Sequence, residues 1–562
     1  TNMYSLFSYC SSFNQDISSW DVSKVVAAAG MFSPNVAFSA ANRSALDNTA
    51  WTANSTTNAE LANISVANDP FITVWRVGNP SYGDGSLNLK LPIHDQSHSA
   101  CDFTVDWGDG SSEPVNASTH TGPGHTGHYN DTTVDHTYAT AGDYTVTISG
   151  NQMYGWTTGV SGVNHDRKKL IDITQWGMWN SGYSAGQFYL CSNLVCTATD
   201  SPWANGASRV PSKLDSTFAG CAKLEGGLSG WDTSGVTSME NTFEACTSFN
   251  GDINGWDVSN VDSMNEMFKN AIVFNKSLSS WNPVSCRDFT SMFSGAAQFN
   301  QDLSSWNTNA GGWWGCTGGQ DGVQYMFEGA TNFNNGQTSG AGRTNPLNWS
   351  NFKVGSNTNS MFHSNLAFNQ DINWNCSSTT NMTKMFYNAA VFNGDISDWQ
   401  TNNVTNMHQM FKFAKDFNCG GAPGEHVAWN LGLGKWTVAS VTNFSQMFFG
   451  AHDFNNTIST WGDRNFSSSA TDMSAMFYNA NSFNDPIGGN SPDSSALQPP
   501  GNAVWDVSRV TNMDHMFYGG STIPSYMSFN AYLGDWDLSS LQTAQYIFYD
   551  GKRTIDEQNH LC

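Results

Sequence analysis

The sequence predicts a repeat solenoid, one short parallel strand plus one short helix per repeat of about 25 residues, with an inserted antiparallel β-sandwich. Two observations carry this. A Met-Phe-like step returns along the chain, with its aromatic at Phe218, Phe243, Phe268, Phe293, Phe327, Phe362, Phe386, Phe411, Phe448, Phe477, Phe517 and Phe548. A separate block, FITVWRV, SLNLKLPI, CDFTVDWGDG and HTYATAGDYTVTISG, alternates apolar and polar residues between Gly and Asp turns. Composition agrees: 52 Gly, 39% apolar and 12% charged residues among 562 suit a repeat array better than an ordinary enzyme.

In chain order, residues 1–32 form an isolated N-terminal repeat and 33–69 a polar connector. The β-sandwich occupies 70–150, and 151–187, through KKLIDITQWG, leads into the array. The array runs over 188–550 and a polar tail over 551–562. Thr1 opens in mid-repeat, so the chain is expected to be a portion of a longer precursor. No run of 18 or more apolar residues occurs, so no transmembrane segment is expected here.

One clean unit, Phe249 to Ala271, shows why the repeats should stack. Val261, Met264, Met267, Phe268 and Ala271 recur at three- and four-residue steps, the stripe of a short helix, with Ser259 placed as its N-cap. The preceding FNGDINGW reads as a brief extended segment. Neither piece buries its apolar face alone, so neighbouring units must cover it. Stacking then superimposes equivalent residues: the anchors Phe243, Phe268 and Phe293, an asparagine ladder including Asn250, Asn300 and Asn393, and a tryptophan ladder including Trp256, Trp306 and Trp399. Insertions between units, such as GGWWGCTGGQDG from Gly311, belong on one rim.

The pattern MFxxAxxFNxDISxWDVSxVTxM, visible from Phe386 to Met407 and from Phe243 to Met264, resembles the leucine-rich-repeat-like units of BspA-family, or mycoplasma-lipoprotein-type, surface proteins. VDWGDG with HTYATAGDYTV resembles a PKD domain, an immunoglobulin-like extracellular module. The resemblance implies a secreted or cell-surface protein with adhesive or structural duties and no catalysis.

Charge and chemistry narrow the function. Lys and Arg total 23 against 47 Asp and Glu, so a net charge of −24 repels phosphate backbones and excludes nucleic acid as a partner. No HExxH, Walker loop, G-x-S-x-G elbow or paired CxxC is present, and GPGHTG, from Gly122, reads as a loop. His94, His98, His120, His125, His128 and His136 crowd one stretch without the spacing of a transition-metal site. Asp252, Asp302, Asp371 and Asp395 share one repeat position. Stacked, they either accept backbone N–H bonds or bind Ca2+, the one metal cofactor considered. Cys10, Cys191, Cys221 and Cys246 sit where other repeats place Ala and read as small buried residues, although a disulfide or ligand role stays open.

Asn-x-Ser/Thr sites point to N-linked glycans and a secretory route, with candidates Asn42, Asn54, Asn63, Asn116, Asn130, Asn348, Asn375, Asn381, Asn403, Asn443 and Asn465. Asn275 and Asn455 are sequons as well, but their place in the ladder predicts that they stay unmodified. The expected function is a non-enzymatic extracellular or cell-surface structural or adhesive glycoprotein, self-assembling head-to-tail into filaments through its solenoid ends. Its expected partners are itself and other surface proteins or glycans. The alternative is a carbohydrate- or calcium-dependent binding protein using exposed aromatics such as Trp313 and Trp314.

Overall fold

The structure, a computed structural model, describes residues 70–93, 102–116, 134–152, 156–159, 166–177, 179, 185–202, 211–306, 322–338, 342–347, 349, 357–428, 432–464, 466, 469–488, 504–519, 527–531 and 533–549, with isolated positions before 70. The chain divides into two compact units, Thr1–Val236 and Thr237–Cys562. Each is described by itself.

In the first unit, β1 (Ala37–Phe38) pairs in parallel with β2 (Ser65–Val66). The strands that follow are β3 (Phe71–Val77), β4 (Asn88–Lys90), β5 (Asp102–Asp106), β6 (Ser112–Asn116), β7 (Asp135–Thr137), β8 (Gly142–Gln152), β9 (Leu170–Gln175) and β10 (Val195–Cys196), and six of them make the main sheet. Its order is β10-β9-β3-β8-β5-β6, while β4 and β7 form a separate antiparallel pair. Strand β3 alternates strictly between buried and partly exposed residues, so Phe71, Trp75 and Val77 enter the core. On the other face Arg76 makes a two-pronged contact with Asp143 of β8, at 2.6 and 2.7 Å. The turn after β5 needs glycine: Gly108 has φ +77°, and a Cβ there would run into the carbonyl oxygen of Thr145. Strand β9 lies in the stretch 151–187 expected to be a mere transition and β10 in the expected array from 188, so the sheet continues past residue 150, and β10 joins β9 in parallel. Buried Lys169 fixes the entry to β9, its ammonium held by Asp84 and Asp166 at 2.9 and 2.8 Å.

The second unit is a pile of similar coils, and here the expected helix is corrected. No α-helix occurs among its described residues. In the unit from Phe249 to Ala271, the amides of Met267, Lys269 and Ala271 bond to carbonyls three residues back. The intervening amides of Met264, Glu266, Phe268 and Asn270 bond outward to Asp288, Thr290, Met292 and Ser294 of the next coil. Glu266 and Asn270 have positive φ, 54° and 58°, and the same two positions are left-handed in coil after coil. Left-handed residues cost about 1–2 kcal/mol each, and the coil-to-coil hydrogen bonds and stacked rings offset that cost. Apolar residues three and four apart therefore fall on one side of a run of turns just as they would on a helix. Ser259 is not a helix cap: its amide is bonded by the carboxylate of Asp257, 2.9 Å away, in a turn.

The strand assignment shifts too. The parallel backbone bridges join Ser238 to Ser263 to Asp288 to Gly322, and Asn357 to Asn381, Asn406, Asn443, Asp472, Asn512 and Thr543. They lie just before the Met-Phe step; among the described residues the segment equivalent to FNGDINGW carries one bridge, Val427 to Asn456. There the coils are linked mainly by side chains.

Candidate functional site

Three columns hold the second unit together. Anchor rings from Phe243 to Phe548 stack nearly parallel, with Phe268 5.6 Å from Phe243 and 5.5 Å from Phe293. A second phenylalanine column, Phe249, Phe274 and Phe299 onward, has its rings 5.8–5.9 Å apart and packs against the first, with Phe249 4.0 Å from Phe243 and Phe274 4.1 Å from Phe268. In the third, the indoles of Trp281, Trp306, Trp349, Trp374, Trp399 and Trp436 stack in turn, and indole N–H groups bond carbonyls of the preceding coil, as Trp306 does to Leu278 at 3.1 Å and Trp399 to Ile372 at 2.9 Å. Trp256 is buried at the head of this column. Trp349, Trp374, Trp436, Trp461 and Trp505 also make the indole bond, although insertions displace them from the regular spacing.

The asparagines form a continuous relay. Asn250 accepts the amide N–H of Asn275, Asn275 that of Asn300, and the chain continues through Asn334, Asn369, Asn393, Asn418, Asn455 and Asn484 to Asn530. Asn334 belongs to it although its repeat is distorted by the insertion that follows.

The acidic candidates stay engaged in turns. Asp252 accepts the amide of Asn254, Asp302 that of Ser304, and Asp395 that of Ser397. Asp371 accepts the amide of Asp395 and lies 3.1 Å from Arg343, so a guanidinium relieves the repulsion between these stacked carboxylates. Among the described residues no three His, Cys, Asp or Glu side chains converge as metal ligands. Cys191, Cys221 and Cys246 are buried and outside any disulfide among the described residues, burial pushes the Cys191 thiol up to about 12, and Cys10 lies outside the described residues.

Of the sequons, Asn42, Asn54, Asn63, Asn130, Asn348 and Asn465 lie outside the described residues, and Asn116 ends β6. The carbonyl oxygens of Asn381 and Asn443 accept both the amide and the hydroxyl of the Ser or Thr two residues on, within the bridged segment. Asn403 donates its side-chain amide to Ser377 at 2.7 Å. Asn375 is exposed and uses only its oxygen, leaving its amide nitrogen outward. His136 stacks on Trp107 and contacts Asp109 at 2.7 Å, while the other five crowded histidines, Trp313 and Trp314 lie outside the described residues.

A fourth column stands on the solvent side and was not anticipated. The residue after each anchor Phe points outward, and early coils place Glu244, Lys269, Ser294 and Glu328 there, all partly exposed. From Phe362 onward the outward series is mostly aromatic. His363 stacks on Tyr387 at 4.8 Å, Tyr387 meets Phe413 at 5.9 Å, and Phe413 meets Phe449 at 5.3 Å. Phe449, Tyr478, Tyr518 and Tyr549 then stack nearly parallel at 4.2, 4.5 and 4.9 Å. The ammonium of Lys412 sits 4.5 Å from the Phe449 ring centre. Burial, and then the charge of Lys384, lowers the pKa of Lys412, His363 and His408 alike, so these groups share one region of positive potential.

A family model described as "Mycoplasma protein of unknown function, DUF285" matches residues 1–68, 212–338, 322–422 and 424–559. No curated protein and no solved structure matches the chain.

Proposed function

We propose, for a chain that belongs to this Mycoplasma-type family, a non-enzymatic extracellular or cell-surface role as a structural or adhesive glycoprotein. The observation that carries this reading is the set of columns in the second unit. Asn, Trp and Phe side chains, coil after coil, are spent on joining one coil to the next, which suits a protein whose product is a long, regular surface. On this reading the pile is a leucine-rich-repeat-like solenoid built from turns, and the antiparallel pairing of β3, β5 and β8 supports a PKD-like module in the first unit.

Assembly is proposed to run head-to-tail. Coil 533–549 exposes Leu538, Tyr546 and Tyr549 at 47%, 61% and 41%, whereas Val507, the counterpart of Leu538 one coil earlier, is 1% exposed. Such a surface is complementary to another unit of the same type. Residues 1–68 match the same family model, so the first repeat of a second copy is such a unit. This contact is heterologous and propagates unless its rotation closes a ring. Sedimentation and electron microscopy over a concentration series test it. Polymers that disappear on deletion of residues 1–32 are expected, and a full-length chain that stays monomeric at high concentration overturns the assembly.

A further inference from the structure

The outward aromatic column is not demanded by the coil. The same backbone position holds Glu244, Lys269 or Ser294 in coils with the same turn run, so the change to rings from Phe362 onward calls for another explanation. The accompanying charges also change. At the outward positions flanking the anchors Phe362, Phe386, Phe411, Phe448 and Phe477 there is no carboxylate, in a chain of net charge −24, while Lys384, Lys412, His363 and His408 all stand there. Carboxylates border the run at Glu328, 3.4 Å from His363, at Asp472 at the bridge beside His408, and at Asp514, which takes the place of His408 in the coil of Tyr518 and is bonded by the amide of Gln545. Lys384 makes no ion pair among the described residues, and Lys412 donates only to the side-chain oxygen of Gln446, at 2.6 Å.

We propose that this flank, from His363 to Tyr518, binds an acidic, carboxylate-bearing oligosaccharide laid along the pile. Charge complementarity selects an anion. Two further observations select its class. The backbone amides of Lys384, Phe386 and Asn388 are bonded to the next coil and those of Met385, Tyr387 and Ala389 within their own, so this face offers no free strand edge for a peptide to extend. Rings stacked at 4.2–4.9 Å cover each other's faces, which leaves the ring edges and the phenol groups of the partly exposed Tyr478 and Tyr518 for contact. Neutral sugars that need an open ring face are disfavoured, whereas hydroxyls and carboxylates meet phenols, imidazoles and ammonium groups. Only two lysines contribute, which suits sparse carboxylates rather than a dense polyphosphate.

The site rests on the proposed display role of the flank, yet its test is separate from the assembly test. Intact protein is titrated calorimetrically in low-salt buffer with tetragalacturonate, with neutral maltotetraose and with polyglutamate. Tetragalacturonate is expected to bind, and K384Q/K412Q to weaken it at least tenfold with the melting temperature unchanged. K384R/K412R, which keeps both charges, and E244Q, on an early coil, are expected to bind like the parent. No binding at millimolar tetragalacturonate, equal binding of maltotetraose, tighter binding of polyglutamate, or undiminished binding by K384Q/K412Q would each overturn the site. Loss of this binding with polymers intact leaves the structural role standing.

Discussion

The sheet of the first unit and the coils of the second solve the same problem with different parts. In the sheet, backbone ladders such as β3 on β8 do the joining, and charged side chains tie strand ends through Arg76 with Asp143 and Lys169 with Asp84 and Asp166. In the coils only about half of the turn-run amides reach the neighbour, so side chains complete the connection through rings, indole N–H groups and asparagine amides. A single side chain should therefore matter more in the coils. Damage there should also stay local, because each coil touches only its neighbours.

The largest effect is expected at the indole column. Trp374 is buried between Trp349 and Trp399 and bonds to the carbonyl of Leu347, so Trp374→Ala should destabilise the coils by about 3–5 kcal/mol. Chemical denaturation followed by tryptophan fluorescence measures this, and a loss below about 1 kcal/mol would mean that the column contributes little beyond ordinary burial.

The asparagine relay comes next. Asn393 accepts the amides of Asn418 and Gly420 and donates to the carbonyl of Gly421. Asn393→Ala leaves these partners unmet at a cost of about 1–3 kcal/mol. A denaturation midpoint equal to that of the parent would show that water replaces the relay.

Acid should separate the two regions in a defined direction. Hydrogen bonds from Ser86 and Lys169 hold Asp84 at about 2, and those from Ser111 and His136 hold Asp109 at about 2, while Arg76 lowers Asp143. These depressed carboxylates contribute stability that is present above pH 4 and lost as the pH falls toward 2. In the coils, burial raises Glu328, Asp416 and Asp453, so protonation there relieves a penalty as the pH falls. Because most of these groups are solvent-accessible the effect is modest. Hydrogen exchange at pH 7 and pH 3 should show the sheet losing protection before the coils, and the reverse order would contradict this assignment.

The smallest change is chemical occupancy. In a glycosylating host, Asn375 is expected to carry sugar, while Asn275, Asn403 and Asn455 stay bare because their side chains bond to a neighbouring coil, and Asn381 and Asn443 because they sit in the bridged segment. Peptide mass mapping checks this, and sugar on Asn381 or Asn443 would show that those turns open.

The columns were legible because equal spacing forces equal environments, which is why Phe268, Asn300 and Trp306 were readable from the repeat alone. Trp349, Trp374 and Asn334 escaped where insertions break the spacing. The helix was misread for a physical reason: a run of turns with a left-handed residue every fourth position, as at Glu266 and Asn270, buries residues at the same intervals as a helix. The outward rings left no hydrophobic period to detect. Their trace was the aromatic directly after the anchor, in MFY at Tyr387, Tyr478 and Tyr518 and in MFF at Phe449.

The central claim, that the second unit is held coil to coil by its side chains, is tested most directly by hydrogen exchange on Phe268→Ala. The ring of Phe268 lies between those of Phe243 and Phe293. Lost protection centred on those two coils, with the sheet over 71–175 unchanged, is the predicted result, and a uniform rise across both units would contradict it.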